Sequence, residues 1–339
     1  MSDAPAISAT TASRPAGSAA PFAAAALGCA IAAAALAGWA PVAFSLATVF
    51  LFAGPHNWME FRFLLTRMPA RWGPLTGYFS LGVGGVAVLA ATFVALRFVG
   101  EAAGWDETAY RTASCVWNTA LILWLAGLIH LRGTQPPVRD WSWAWPAGSA
   151  LIALVWLLPG WWDVFLVYLH PVIALWFLDR ELARSRPEWR PAYRLCLAAV
   201  PALLAVLWWR LADAPDLPGA DALTVRLAWH AGGGVLSGVS THLLVATHAF
   251  LEMLHYGVWL LALPLIGMRA APWRWDATPL GRRSAGWRRA LTGLFAAGAA
   301  AVAVLWVCFV ADYGLTRDVY FTLALAHVLA EAPFLLRML

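Results

Sequence analysis

The stretch His248-Ala249-Phe250-Leu251-Glu252-Met253-Leu254-His255 carries two imidazoles and a carboxylate at positions i, i+4 and i+7. On an α-helix these positions fall within an arc of about 60°, so the three side chains share one face. His327 and Glu331 repeat the i, i+4 spacing, as do His56 and Glu60, and His170 directly precedes Pro171. Imidazole nitrogen and carboxylate oxygen, with no neighbouring cysteine or methionine-rich run, form a ligand set suited to non-haem iron, zinc or manganese rather than Cu(I). The paired-histidine boxes HxxxH and HxxHH of membrane desaturases are absent, and so is the HExxH helix of zinc proteases. A b-type haem held by two histidines is the competing cofactor. Glu252 and Glu331 beside the imidazoles favour a non-haem metal, because haem ligation does not need them.

These residues must be held by membrane helices. Apolar residues make up 62% of the 339-residue chain and charged residues 12%, about half the charge of an ordinary soluble domain. The net charge of +5 rests on arginine alone. With no lysine in the chain, a retinal Schiff base, and hence a rhodopsin, is excluded. Cys29, Cys115, Cys196 and Cys308 lie in apolar runs without metal-site spacing and read as small core residues. Residues 1–20 are rich in Ala, Ser, Thr and Pro and read as a disordered tail, with 21–339 forming one transmembrane domain. Asp3 precedes the first basic residue, Arg14, and no clear cleavage site follows the next apolar run. That run reads as a retained helix rather than a removed signal peptide.

Apolar stretches long enough to span a bilayer predict an all-α, polytopic bundle of about ten spans. They are 22–38, 42–65, 75–98, 109–131, 145–159, 161–179, 191–211, 238–264, 288–311 and 318–338. The stretch 223–236, with Gly232-Gly233-Gly234, reads as a re-entrant or interfacial piece before the eighth. Arginines cluster after the second, fourth, sixth and eighth spans, Arg269 among them, while the alternate loops are acidic or small. The positive-inside rule then places both termini in the cytoplasm. Tryptophans such as Trp39, Trp72, Trp141 and Trp161 fall at span ends, as an interfacial belt requires. Asp179, Arg180 and Glu181, also at a span end, read as solvated. No internal repeat is evident, so the inverted-repeat signature of many secondary transporters is missing.

On these spans His56, His170, His248, His255 and His327 fall near one depth, brought there by four different helices. Intramembrane ionisable groups are functional candidates because each costs at least about 2.5–3.5 kcal/mol near the bilayer centre. His130 and His230 read as interface histidines, and His242 lies higher in its span. Glu60 has a simpler alternative, an ion pair with Arg62 or Arg67. Taken singly, an intramembrane histidine is commonly a helix–helix hydrogen bond. Taken together, the five read as metal ligands, with Glu252 and Glu331 as catalytic or imidazole-orienting carboxylates. A proton or substrate path, and polar packing alone, are the alternatives.

The element Pro55-His56-Asn57-Trp58-Met59-Glu60 resembles the Pro-His-Gly-x-x-Asp element of the Brp/Blh membrane β-carotene dioxygenases. Phe250 to His255 is similar to that family's late histidine-bearing helix. Asn57 stands where the family has Gly, and the late histidines are seven apart rather than four. The resemblance implies His56, and less directly His255, as ligands of an iron that cleaves a carotenoid inside the bilayer. The expected function is therefore an O2-dependent oxidation of an apolar, lipid-like substrate by an enzyme of a bacterial inner membrane. The alternatives are a haem-carrying or assembly subunit and a proton-coupled transporter. The arginine loops favour anionic lipid and match no nucleic-acid-binding motif.

Overall fold

The computed structural model describes residues 18–136, 138–219, 221–267 and 274–338. Most of the expected disordered tail, and Arg269, lie outside the described residues. Among the described residues the chain is all-α. In order the helices are α1 (Ala20–Trp39), α2 (Pro41–Arg67), α3 (Thr76–Ala103), α4 (Glu107–Gly133), α5 (Ala144–Leu157), α6 (Pro159–Ser185) and α7 (Arg190–Leu211). They continue with α8 (Ala222–His230), α9 (Thr241–Gly257), α10 (Leu263–Gly267), α11 (Pro279–Arg283), α12 (Ala285–Ala311) and α13 (Tyr313–Leu336). A π-helical turn, Val258–Ala262, joins α9 to α10.

The sequence punctuates these helices with caps and prolines. Asp106, Asp221, Ser284 and Asp312 accept hydrogen bonds from the third residue of α4, α8, α12 and α13. Pro41 and Pro159 sit at the first position of α2 and α6, where a missing N–H costs nothing. The unclear stretch 223–267 becomes the short α8, a run of turns and then α9. Gly232, at φ +101°, makes the chain reversal after α8 that a side chain would oppose.

Among the described residues, eight segments are long and apolar enough to cross a membrane. The other two expected spans correspond to α2 and α5. With 27 residues α2 has the length, but Pro55, His56, Asn57, Glu60 and Arg62 dilute its apolar character, and α5 has only 14 residues. A ring of exposed apolar side chains, including Val304, Val307 and Val310 on α12 and Leu195 on α7, suits hydrocarbon and not water.

Burial separates the centre of the bundle from its rim. Eleven of the 17 residues of α9 are buried, against three of the 27 in α12. The central α9 packs on α1, α2, α6, α7 and α8, and α2 lies against α1, α9, α12 and α13. Ala33, Ala34 and Ala37 of α1 meet Ala246 and Ala249 of α9, small residues that let two helices approach closely.

One expectation is corrected here. Asp179 and Glu181 are buried rather than solvated. Asp179 accepts from Arg190 at 2.7 Å and Arg194 at 2.9 Å, and Glu181 from Arg67 at 2.7 Å. The helix end packs against α7 and α2, so the carboxylates exchange water for guanidinium groups. Asp179→Ala, which strands both arginines, is expected to lower stability by about 1–3 kcal/mol. Thermal unfolding in detergent measures it, with the exposed Asp213→Ala expected to shift by less than about 0.5 kcal/mol.

Candidate metal centre

The site is built first on α2, whose backbone is fastened from outside. Tyr313 and Tyr320 hydroxyls donate to the carbonyls of Leu46 and Ala53, each at 3.1 Å, and the Trp306 indole to that of Phe50 at 2.8 Å. In return Asn57 donates to the Tyr320 hydroxyl at 3.0 Å and Trp58 to the Phe295 carbonyl at 3.2 Å. Pro55 sits among these bonds and removes one ladder N–H from the middle of the helix. The clamped segment presents His56 and Glu60 inward.

His56, Glu60, His255 and His327 each bring one ligand atom to a common point, all within 4.8 Å of one another. The His255 and His327 rings each lie 5.2 Å from the His56 ring, edge to face. His56 Nδ1 is 3.0 Å from the Phe52 carbonyl. A carbonyl can only accept, so this nitrogen carries the proton and Nε2 keeps its lone pair for a ligand. Neither oxygen of Glu60 and neither nitrogen of His255 has a hydrogen-bond partner among the described residues, although both groups are buried. Buried polar atoms normally find partners, and a carboxylate that stays ionised in an apolar interior needs a compensating positive charge. The ion pair considered for Glu60 does not supply it through Arg67, which pairs with Glu181 instead. Two ligands about 2.1 Å from one divalent ion are at most about 4.2 Å apart, so a small side-chain adjustment closes the group around a metal. The residues fit such an ion.

The other expected residues border this group. The His170 ring lies 4.4 Å from the His255 ring, tilted by 47°, and its Nδ1 lies 3.7 Å from Glu331 Oε2. Further along α9, His248 Nδ1 lies 3.8 Å from Glu252 Oε2. Glu252 also accepts a 2.7 Å hydrogen bond from the Tyr256 hydroxyl, and the Tyr256 ring lies 4.4 Å from that of His56. The π turn begins just after this face of α9 and directs Trp259 into the core beside Phe63 and Phe177; such turns recur at functional sites.

All five expected histidines and both expected glutamates line one cavity of about 360 Å³. Its remaining wall is largely apolar and aromatic, with Phe93, Trp117, Trp124 and Leu329 prominent. Four further residues belong to the site, three of them on the cavity wall. Glu60 completes the four-ligand set. His230, read from the sequence as an interface residue, turns inward, its ring 5.0 Å from that of His248. Tyr256 and Tyr320 also face the cavity. The tyrosines carried a readable signal, since Tyr256 is one turn from Glu252 and Tyr320 two turns from His327 on the same helix. His130 packs near Trp145, away from the cavity. Comparisons of the chain with known protein families, curated proteins and solved structures find no match.

The wall of the cavity depends on Gly85. Trp124 lies so close that a Cβ at this glycine would come within 1.9 Å of its Nε1, which donates to the Leu81 carbonyl at 2.8 Å. Gly85→Ala is expected to dislodge Trp124 at about 1–3 kcal/mol in stability. Thermal unfolding measures the loss, and the tryptophan emission is expected to shift with it.

Proposed function

We propose that this chain is a membrane-embedded metalloenzyme that oxidises an apolar, lipid-like molecule of carotenoid type. The carrying observation is the convergence of His56, Glu60, His255 and His327 from three helices, with buried atoms of Glu60 and His255 that have no hydrogen-bond partner among the described residues, beside an apolar cavity. Three nitrogens and one carboxylate oxygen leave room for further ligands on an iron centre, the metal we favour over zinc or manganese. Iron bound there would supply the O2-dependent redox chemistry. The edge-to-face contact of His56 with His255 and His327 leaves no flat slot between paired imidazoles, which favours a single ion over a b-type haem.

The roles of the chain's own residues follow from placement. His56, His255 and His327 bind the metal through nitrogen and Glu60 through oxygen. His170 stands at the rim as a fourth imidazole, with Glu331 beside it at 3.7 Å. His248 is held farther along α9 by Glu252, which Tyr256 ties back to the His56 ring. The aromatic wall excludes water and accepts a substrate that arrives through the bilayer. The arginine-rich ends support about ten crossings, with α2 and α5 among them, and both termini in the cytoplasm of a bacterial inner membrane.

A second reading, a proton-coupled transporter, is favoured by the buried carboxylates Glu252 and Glu331 on the cavity wall. Metal analysis with an absorption spectrum of the purified protein separates the two. Iron near one equivalent without a Soret band is expected, falling by about tenfold or more in His255→Ala and His327→Ala and unchanged in His130→Ala. Full metal content in both ligand variants would overturn the metal centre. Metal-free protein that takes up solute with protons would establish the transporter. Chelation is expected to lower the thermal midpoint and refilling to restore it, because an ion that binds only the folded state stabilises it.

A further inference from the structure

At the end of the bundle where α8 meets the start of α13 and the end of α3, an open cleft of about 470 Å³ is lined by Arg97, Arg226 and Arg317. Two of these arginines have acidic partners. Arg97 pairs with Glu101 at 3.5 Å, and Arg226 pairs with Asp318. Arg317 is different. It is only 6% exposed, its guanidinium stacks 4.7 Å over the Phe321 ring, and its Nε has no hydrogen-bond partner among the described residues. No carboxylate among the described residues lies within ion-pair distance of it. Glu252, Tyr313 and Asp318 act on it only through space; the Oε1 of Glu252 is already bonded to Tyr256, and Asp318 is paired with Arg226. A buried guanidinium without a bonded anion is costly, and an incoming carboxylate or phosphate removes that cost.

The cleft and the metal-side cavity share two wall residues, His230 and Phe321. Arg317 rests on one of them. A molecule with an acidic end at Arg317 therefore has an apolar aromatic-lined space directly behind the partition, in the size range of ligand pockets. We propose that the cleft at Arg317 binds the carboxylate or phosphate headgroup of an amphiphile whose apolar tail passes His230 and Phe321 into the cavity. The substrate class then narrows from any apolar lipid to one with an acidic terminus, which an unsubstituted hydrocarbon lacks. The inference takes from the proposed function only that the cavity admits an apolar molecule.

The test uses palmitic acid bearing a photoreactive diazirine at its ω end, and its methyl ester, on the purified full-length protein. Cross-linked peptides are mapped by mass spectrometry. The acid is expected to label cavity peptides of α4 or α13, those carrying Trp124 or Leu329, about tenfold more than the ester. Arg317→Gln is expected to bring the acid down to the ester's level and Arg317→Lys to retain most of the labelling, with metal content unchanged in both. Equal labelling by acid and ester in the wild type would overturn the proposal, even if the Arg317→Gln protein does not fold. Acid label confined to α8 and the cleft rim would also overturn it, because that is a bilayer lipid resting at the mouth. Chelator-treated wild type is expected to label like the untreated protein. The headgroup result therefore stands or falls independently of the metal centre.

Discussion

A carboxylate and several imidazoles sit where neither water nor the protein's own hydrogen bonds satisfy them, and the bundle is arranged around that cost. Glu60 has no exposed surface, and neither of its oxygens has a hydrogen-bond partner among the described residues. In an apolar interior such a group is tolerable in its ionised form only with a positive charge at hand. His56, His255 and His327 come from separate helices to the same point, where they can share a cation with it. A cation bound among them would make the cluster a cross-link between α2, α9 and α13.

The rest of the architecture serves to keep these helices in register. α9 is the buried axis, and the alanine contacts with α1 and the packing of α6 and α7 surround it. α2 is the less apolar helix, and side chains from α12 and α13 compensate by bonding to its carbonyls at Leu46, Phe50 and Ala53. These bonds do not pay for helix stability alone. They set the rotation of α2 about its axis, which decides whether His56 and Glu60 face inward. The buried ion pairs of Asp179 and Glu181 perform a similar office at the opposite end of the bundle from the arginine cleft, joining α6 to α7 and α2.

Between the two ends lies a gradient of chemistry along one cavity. Nitrogen and carboxylate ligands stand at one side, aromatic and aliphatic walls in the middle, and a buried guanidinium behind the His230–Phe321 partition at the other. A passage with such polar groups at both ends and an apolar middle is suited to a molecule that is itself polar at an end and apolar along its length. The separation of the two polar regions also explains the division of α9: His255 faces the ligand group, and His248 with Glu252 faces the approach from the cleft.

Residue chemistry alone determined the membrane class, the helical content and the identity of the polar groups that matter. Few charges, long apolar runs and histidines recurring at helical spacing leave little else for the chain to be, because periodicity and desolvation act locally. The same local logic found His56, His170, His248, His255, His327, Glu252 and Glu331, all of which the fold gathers on one cavity. Tertiary structure alone decided how they are partitioned. Three helical neighbours on α9 share a face, yet His255 joins α2 and α13 while His248 joins α8, because the packing of different helices divides that face between them. Glu60 became a ligand candidate when Arg67 was drawn to Glu181 on α6, and His230 turned inward because the Gly232 reversal folds α8 against α9. Partner choice between helices depends on distances between residues far apart in the chain, and those distances are set by packing rather than by spacing along it.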